Sequence, residues 1–206
     1  PKGFVTAGLS KNNLNHSDFA NQQKASSYVK GNNKTAAHEW ATAKRQLHVS
    51  TAKLTLITAN DAVSVRVANN LKTQLENHLP GLTIHTVSLD SNHLNNRVTN
   101  GQFDLLLTGW GADYPDPLSF LQVMTSNSRH NYGHWHDATY DRLVNTLNNN
   151  QSTDNQLRWQ QMLNAEKRLT EQQGVTPLYQ QADSFLTNPK LNGVVHNISG
   201  VVEDYK

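Results

Sequence analysis

The stretch FDLLLTGWGADYPDPLSFL, Phe103–Leu121, decides the reading of this chain. Its opening, FDLLL, is a short apolar run of the kind that forms a buried strand. A tryptophan between two glycines follows, then an aspartate, a proline-rich turn and a second apolar run. Working back from Phe103, "LTIHTVSL" (Leu82–Leu89) and "KLTLITA" (Lys53–Ala59) read as two further strands. Between them lies a helical pattern, with Val63, Val67, Leu71 and Leu75 on one face, capped by Asp61 and stopped by Pro80–Gly81. A short helix over Ser91–Thr99 ends at "NG" before the third strand. Strand, helix, strand, helix, strand at this spacing predicts parallel crossovers, hence an α/β lobe with parallel neighbouring strands and flanking helices.

Outward from that centre the chain is less regular. Residues 1–34 are a loop-rich lead-in, after which Thr35 is expected to cap a helix carrying Ala36, Trp40, Ala43 and Leu47. Beyond the central stretch the pattern turns helical. A short helix is expected over Pro117–Met124. A second covers Ala138–Leu147, with Tyr140, Leu143, Val144 and Leu147 on one face. A long third opens on a Thr153/Gln156 capping box and runs through Leu157, Met162, Ala165 and Leu169 to Gly174, read as the C′ residue. "VTPLYQ" and "DSFLT" read as extended segments.

Composition narrows the function. The 206 residues suit one domain or one large lobe, and residues 1–206 are read as a single lobe. Apolar content is 36% and charged content 17%, both low. A net charge of +2, scattered along the chain, gives no nucleic-acid footprint. No cysteine is present, which removes disulfides and thiolate chemistry and fits an exported protein, although many cytosolic proteins also lack it. No apolar run is long enough to span a bilayer. The N-terminus has no signal-peptide pattern, starts without Met, and reads as a piece of something longer.

In an open α/β sheet, ligands sit beyond the carboxyl ends of the strands, which is where Gly109–Asp113 falls. Glycines admit another backbone, Trp110 offers an apolar wall with one N–H donor, and Asp113 a negative charge. That set suits an extended, amine-bearing ligand. The same residues also read as core packing followed by a turn and a helix start at Pro117, and on residue types alone both readings stay open. His130, His134, His136 and Asp137 in "RHNYGHWHD" lack convergent partners for a metal, so His134 and His136 are expected to be exposed and metal-free. No nucleophile elbow, zinc-protease motif or phosphate loop occurs. Asp104, within a strand, and Asp116, read as a cap, make a poor acid–base pair with Asp113. Lys44, Arg45, Lys167 and Arg168 read as solvated helix faces, and Trp135 and Tyr179 as packing residues.

The order strand, Gly-Trp-x-Ala-Asp-Tyr-x-Asp-Pro, Phe-Leu resembles the extracellular solute-binding proteins of family 5, the oligopeptide and dipeptide receptors of ABC importers. "AHEWATAKRQL" before the first strand, "YDRLVNTL" after the motif and "VTPLYQ" agree with it, so the resemblance covers nearly the whole chain. It implies a periplasmic-binding-protein-like (type II) lobe with a mainly parallel sheet and a helical C-terminal half, specifically the C-terminal lobe of a two-lobed receptor. It implies further that Asp113 binds a peptide α-ammonium, and that Thr108, Gly109, Trp110, Gly111 and Ala112 form the strand end that pairs with peptide main chain. Some members carry a basic residue where this chain has Leu107, so reading of the peptide carboxylate must come from elsewhere or be absent. The implied protein has no enzymatic activity and no cofactor. Its partners are a peptide and, through the whole receptor, transporter permease subunits. It is exported and held at the outer face of the cell membrane by a lipid anchor. The alternatives are a same-family binder of another solute, a metal chelate or a sugar, and a hydrolase using Asp113 and a nearby His.

Overall fold

The computed structural model describes residues 1, 3–23, 31–149, 154–182, 184, 186–188, 190, 192–200 and 203–205. The chain separates into two compact units, one formed by Gly31–Gly109 and the other by Pro1–Lys30 with Trp110–Lys206.

The Gly31–Gly109 unit is the α/β part. Strands β1 (Ala52–Ala59), β2 (Leu82–Leu89) and β3 (Leu105–Leu106) form one parallel sheet in the order β2-β1-β3, with Ala52 opposite Leu82 and Leu56 opposite Leu105. The parallel arrangement agrees with the strand–helix alternation. The third strand, expected over Phe103–Gly109, is shorter: Leu105 and Leu106 stand in ladder register, and backbone bonds from Asp104 and Leu107 N–H to β1 add one residue on each side. Period-two alternation sets the faces: Leu82 and Ile84 are buried, whereas Thr83 and His85 are exposed. Helices α3 (Ala62–His78) and α4 (Ser91–Thr99) pack on β1 and β2. Leu54, Leu56, Leu82 and Ile84 meet Val67, Ala68, Leu71 and Leu75 in one apolar cluster. Asp61 caps α3 through Val63 and Ser64 N–H, as its position before the apolar pattern predicts.

The preceding helix, α2 (Asn33–Gln46), is capped by Asn32 rather than Thr35. Asn32 accepts from both Lys34 and Thr35 N–H, so the helix starts a turn before its first apolar residue. Trp40 packs partly into the cluster and donates to Pro80 O, while Leu47, the C-cap residue, is exposed.

The other unit is mainly helical. It contains α1 (Phe19–Gln22), α5 (Leu118–Leu121) running into a 3-10 turn (Gln122–Met124), α6 (Ala138–Asn149), α7 (Asn155–Glu171) and an antiparallel pair, β4 (Val194–His196) and β5 (Glu203–Tyr205). Its core joins Tyr140, Val144 and Leu147 of α6 to Trp159, Met162, Leu163, Ala165 and Leu169 of α7 and to Leu118, Phe120 and Leu121 of α5. Val5, Leu9 and Phe19 of the lead-in complete it, so that segment is a core component and not merely a loop.

Three expectations change here. The N-cap of α7 is Asp154, accepting from Gln156 and Leu157 N–H; Thr153 lies outside the described residues, as do Asp183 and Phe185 of "DSFLT". Leu157 and Tyr179, expected to pack, are about half exposed. At the C-terminus of α7 the left-handed residue is Gln173, with φ 56°, not Gly174. Gln173 N–H donates to Thr170 O and Gly174 N–H to Leu169 O, the paired bonds of a Schellman turn. Gly174 is there for space: a Cβ would come within 2.6 Å of Leu169 Cδ1 and 2.8 Å of the Trp135 ring. Gly174→Val is therefore expected to cost about 1–3 kcal/mol by overpacking, measured as a lowered urea midpoint with unchanged slope.

Candidate functional site

Local chemistry explains how the central stretch is held. In the α/β unit, β3 pairing extends to Leu107, whose N–H donates to Ile57 O and whose carbonyl accepts from Thr58 Oγ1. There the ladder stops. Thr108, Gly109 and Gly111 are exposed, and none of their backbone N–H or C=O groups makes a hydrogen bond among the described residues. A Cβ at Gly109 or Gly111 would meet nothing within 4 Å among the described residues. Packing among the described residues therefore gives no reason for glycine at either position.

From Trp110 onward the chain belongs to the helical unit. Ser119, wholly buried in α5, fixes two of the predicted residues. Its carbonyl accepts the Trp110 indole N–H at 2.9 Å and its hydroxyl accepts Asp113 N–H at 2.8 Å. The indole donor is thus committed within the chain and is not free for a ligand. Trp110 and Ala112 both pack against the core, and Ala112 O accepts from Gly200 N–H. The core-packing reading of Trp110 is right as far as it goes, yet the same ring also forms a wall of an open depression.

That depression, about 340 Å³, is lined by Trp110, Asp113, Gln122, Val123, Thr125, Asn127, Ser128 and His130. Asp113 is exposed there. His130 lies on the Trp110 ring at 4.7 Å between centroids and meets Tyr132 Oη at 3.1 Å.

The turn behind the depression is braced from α7. Asp116 accepts Leu118 N–H, as a residue opening α5 should, and forms a two-pronged pair with Arg158 at 2.8 and 3.0 Å. This pairing holds the Arg158 guanidinium pKa above its ordinary value. Sequence reading missed both Ser119 and Arg158. Removing the Ser119 hydroxyl leaves Asp113 N–H without its acceptor. Ser119→Ala is expected to cost about 1 kcal/mol of stability, read by chemical denaturation.

The histidine loop does not converge. His136 Nδ1 meets Ser126 Oγ at 2.7 Å, His134 is exposed with φ 51°, and Asp137 caps α6 through Tyr140 N–H. Arg168 bonds Asp137 at 2.6 Å and holds its carboxyl below the usual range. Arg168 is therefore a structural partner and not a solvated face. Lys44 likewise donates to Pro80 O at 2.7 Å. No group of three or more metal-ligating side chains occurs among the described residues. No helix among them is long and apolar enough to cross a membrane.

Residues 2–132 match the family model described as bacterial extracellular solute-binding proteins, family 5 Middle. A dipeptide-binding protein of Lactococcus lactis subsp. cremoris is 32% identical over 98% of this chain, which spans 37% of that protein. A probable deoxycholate-binding periplasmic protein of Escherichia coli is 37% identical over 47% of this chain and 18% of its own length. The solved pheromone receptor PrgZ, described with its mode of peptide binding, superposes over 100% of this chain and 38% of its own, at 32% identity and a TM-score of 0.85. The architecture is accordingly that of a type II periplasmic-binding-protein-like protein.

Proposed function

Because this chain belongs to the bacterial extracellular solute-binding proteins of family 5, we propose that it is the peptide-capturing C-terminal lobe, residues 1–206, of a two-lobed receptor. That receptor delivers peptides to an ABC importer. The observation that carries the reading is the stretch Thr108–Asp113: at Thr108, Gly109 and Gly111 an exposed backbone with no partner among the described residues, glycines that nothing among those residues crowds, then an exposed carboxylate beside a tryptophan wall. A peptide supplies the complement, a main chain for strand addition and an α-ammonium for Asp113. Main-chain pairing tolerates any side chain, so the receptor accepts peptides of mixed sequence. Trp110 contributes its ring face, since its N–H is already bonded to Ser119.

The receptor catalyses no reaction and needs no cofactor; the transporter supplies the energy. It works at the outer face of the cell membrane, lipid-anchored, and meets the permease subunits there. One observation favours a second reading within the family. The similar Escherichia coli protein carries the name of a probable deoxycholate-binding periplasmic protein, which favours a solute other than a peptide. A bile acid has no ammonium, which leaves an exposed Asp113 without a role. Mass spectrometry of ligand released from the purified receptor separates the two. Short peptides of mixed sequence with free N-termini are expected; a single non-peptide solute would refute the peptide assignment.

A further inference from the structure

Glu166 is not among the residues that line the depression. It sits in the middle of α7 and is 1% exposed. Its Oε1 accepts from Phe4 and Val5 N–H, both at 2.7 Å. Its Oε2 is buried without a partner among the described residues, and so is Gln23 Oε1. The Gln23 side chain lies within hydrogen-bonding reach of the carboxyl. Both crowd Gly3, where a Cβ would stand 2.4 Å from Gln23 Oε1 and 2.7 Å from Glu166 Oε1. The Gln23 amide cannot simply turn over, because its Nε2 donates to Val5 O at 3.1 Å. An ionised Glu166 therefore leaves two buried acceptors unsatisfied together, whichever way the amide points. One proton on Oε2 satisfies both.

We infer that Glu166 is a proton-dependent lock for the N-terminal segment: protonated, it accepts from Phe4 and Val5 and donates to Gln23, and on ionising it releases residues 3–9 from α7. The surroundings agree. No cation pairs with Glu166 among the described residues. On α7 itself, Lys167 and Arg168 are engaged by Glu171 and Asp137. On α6, the group in electrostatic range is Tyr140, whose hydroxyl donates to Leu121 O. Asp18, at the head of α1, is taken up by Gly8 and Ala20 N–H. Burial pushes the Glu166 carboxyl up to about 7, against the opposing pull of the Val5 and Phe4 N–H groups. The folded chain thus holds this proton more tightly than the unfolded chain. The lock is fully present below the ordinary carboxyl range and is lost as pH rises through about 7.

Hydrogen exchange on the intact protein, followed by mass spectrometry from pH 5.5 to 8.5 and corrected for intrinsic rates, tests this. In the wild type, protection of peptides covering residues 3–9 is expected to fall as pH rises toward about 7, approaching about tenfold per pH unit for a single proton, and to level off above it. Glu166→Gln keeps an acceptor for Phe4 and Val5 and a permanent donor for Gln23, so its protection is expected to stay level. Level protection in the wild type, or the wild-type slope in Glu166→Gln, would overturn the lock. Should the variant not fold, infrared titration of the wild type decides. A protonated carboxyl band that disappears between pH 6 and 8 supports it, and absence of that band at pH 6 overturns it.

Discussion

Asp113→Ala is expected to weaken binding of free-amine peptides to the whole receptor by about 30- to 5000-fold. The figure follows from the roughly 2–5 kcal/mol lost when one partner of a desolvated charge pair is removed. In this chain the carboxylate is exposed on the depression, and its backbone is fixed by Ser119 Oγ. The substitution therefore removes a charge without disturbing a packed side chain, and stability should change little. An N-acetylated peptide has no ammonium. It should bind the wild type poorly and lose little more in the variant. That non-additivity, read by calorimetry with both ligands against both proteins, separates a lost ion pair from a damaged fold, which would weaken both ligands alike. Equal wild-type affinity for free and acetylated peptides would remove Asp113 from its role.

The largest expected effect on stability belongs to Tyr140. The side chain is wholly buried, stacks edge-on to Trp135 at 5.0 Å and donates its hydroxyl to Leu121 O at 2.6 Å. Burial raises its pKa well above the usual tyrosine range, so it remains a donor at any pH the protein meets. Tyr140→Ala opens a cavity among α5, α6 and α7 and is expected to cost about 3–5 kcal/mol. For a chain of this size that is a fall of roughly 6–20 °C in melting temperature. Tyr140→Phe keeps the packing and strands only the Leu121 carbonyl, at about 1–3 kcal/mol. Circular dichroism melts of the two variants should therefore rank clearly. Equal losses would mean that the hydrogen bond, not the cavity, dominates.

Where the local pattern and the tertiary environment agree, the residues alone were enough. The strands Ala52–Ala59 and Leu82–Leu89 and the Asp61 cap follow from alternation and from an aspartate placed just before a helical apolar stripe. The face of α6 with Tyr140, Val144 and Leu147 follows from helical spacing. The residues around Trp110 left packing and ligand contact both open, and the Trp110 ring does pack on the core while also lining the depression.

What could not be read depends on partners distant in sequence. Glu166 stands in "NAEKRLTEQQ", which looks like a solvated helix face, and it is buried only because Phe4 and Val5, some 160 positions away, lie across it. Arg158 and Arg168 look equally solvated until Asp116 and Asp137 meet them. Ser119 is one small polar residue in "PLSFL", and its two contacts to Trp110 and Asp113 leave no trace in composition. The strands Val194–His196 and Glu203–Tyr205 are three residues each, too short for a period to register.

Asp113 as the ammonium site and the backbone at Gly109 and Gly111 as the pairing edge are the core of the proposed peptide capture. A crystal structure of the whole receptor with a free-amine tripeptide tests both at once. The account predicts the α-ammonium about 3 Å from the Asp113 carboxylate, at charge-assisted hydrogen-bond distance, with peptide main chain bonded to the Thr108–Gly111 backbone. A peptide bound with its N-terminus away from Asp113, or bound with those backbone groups still facing solvent, would contradict it.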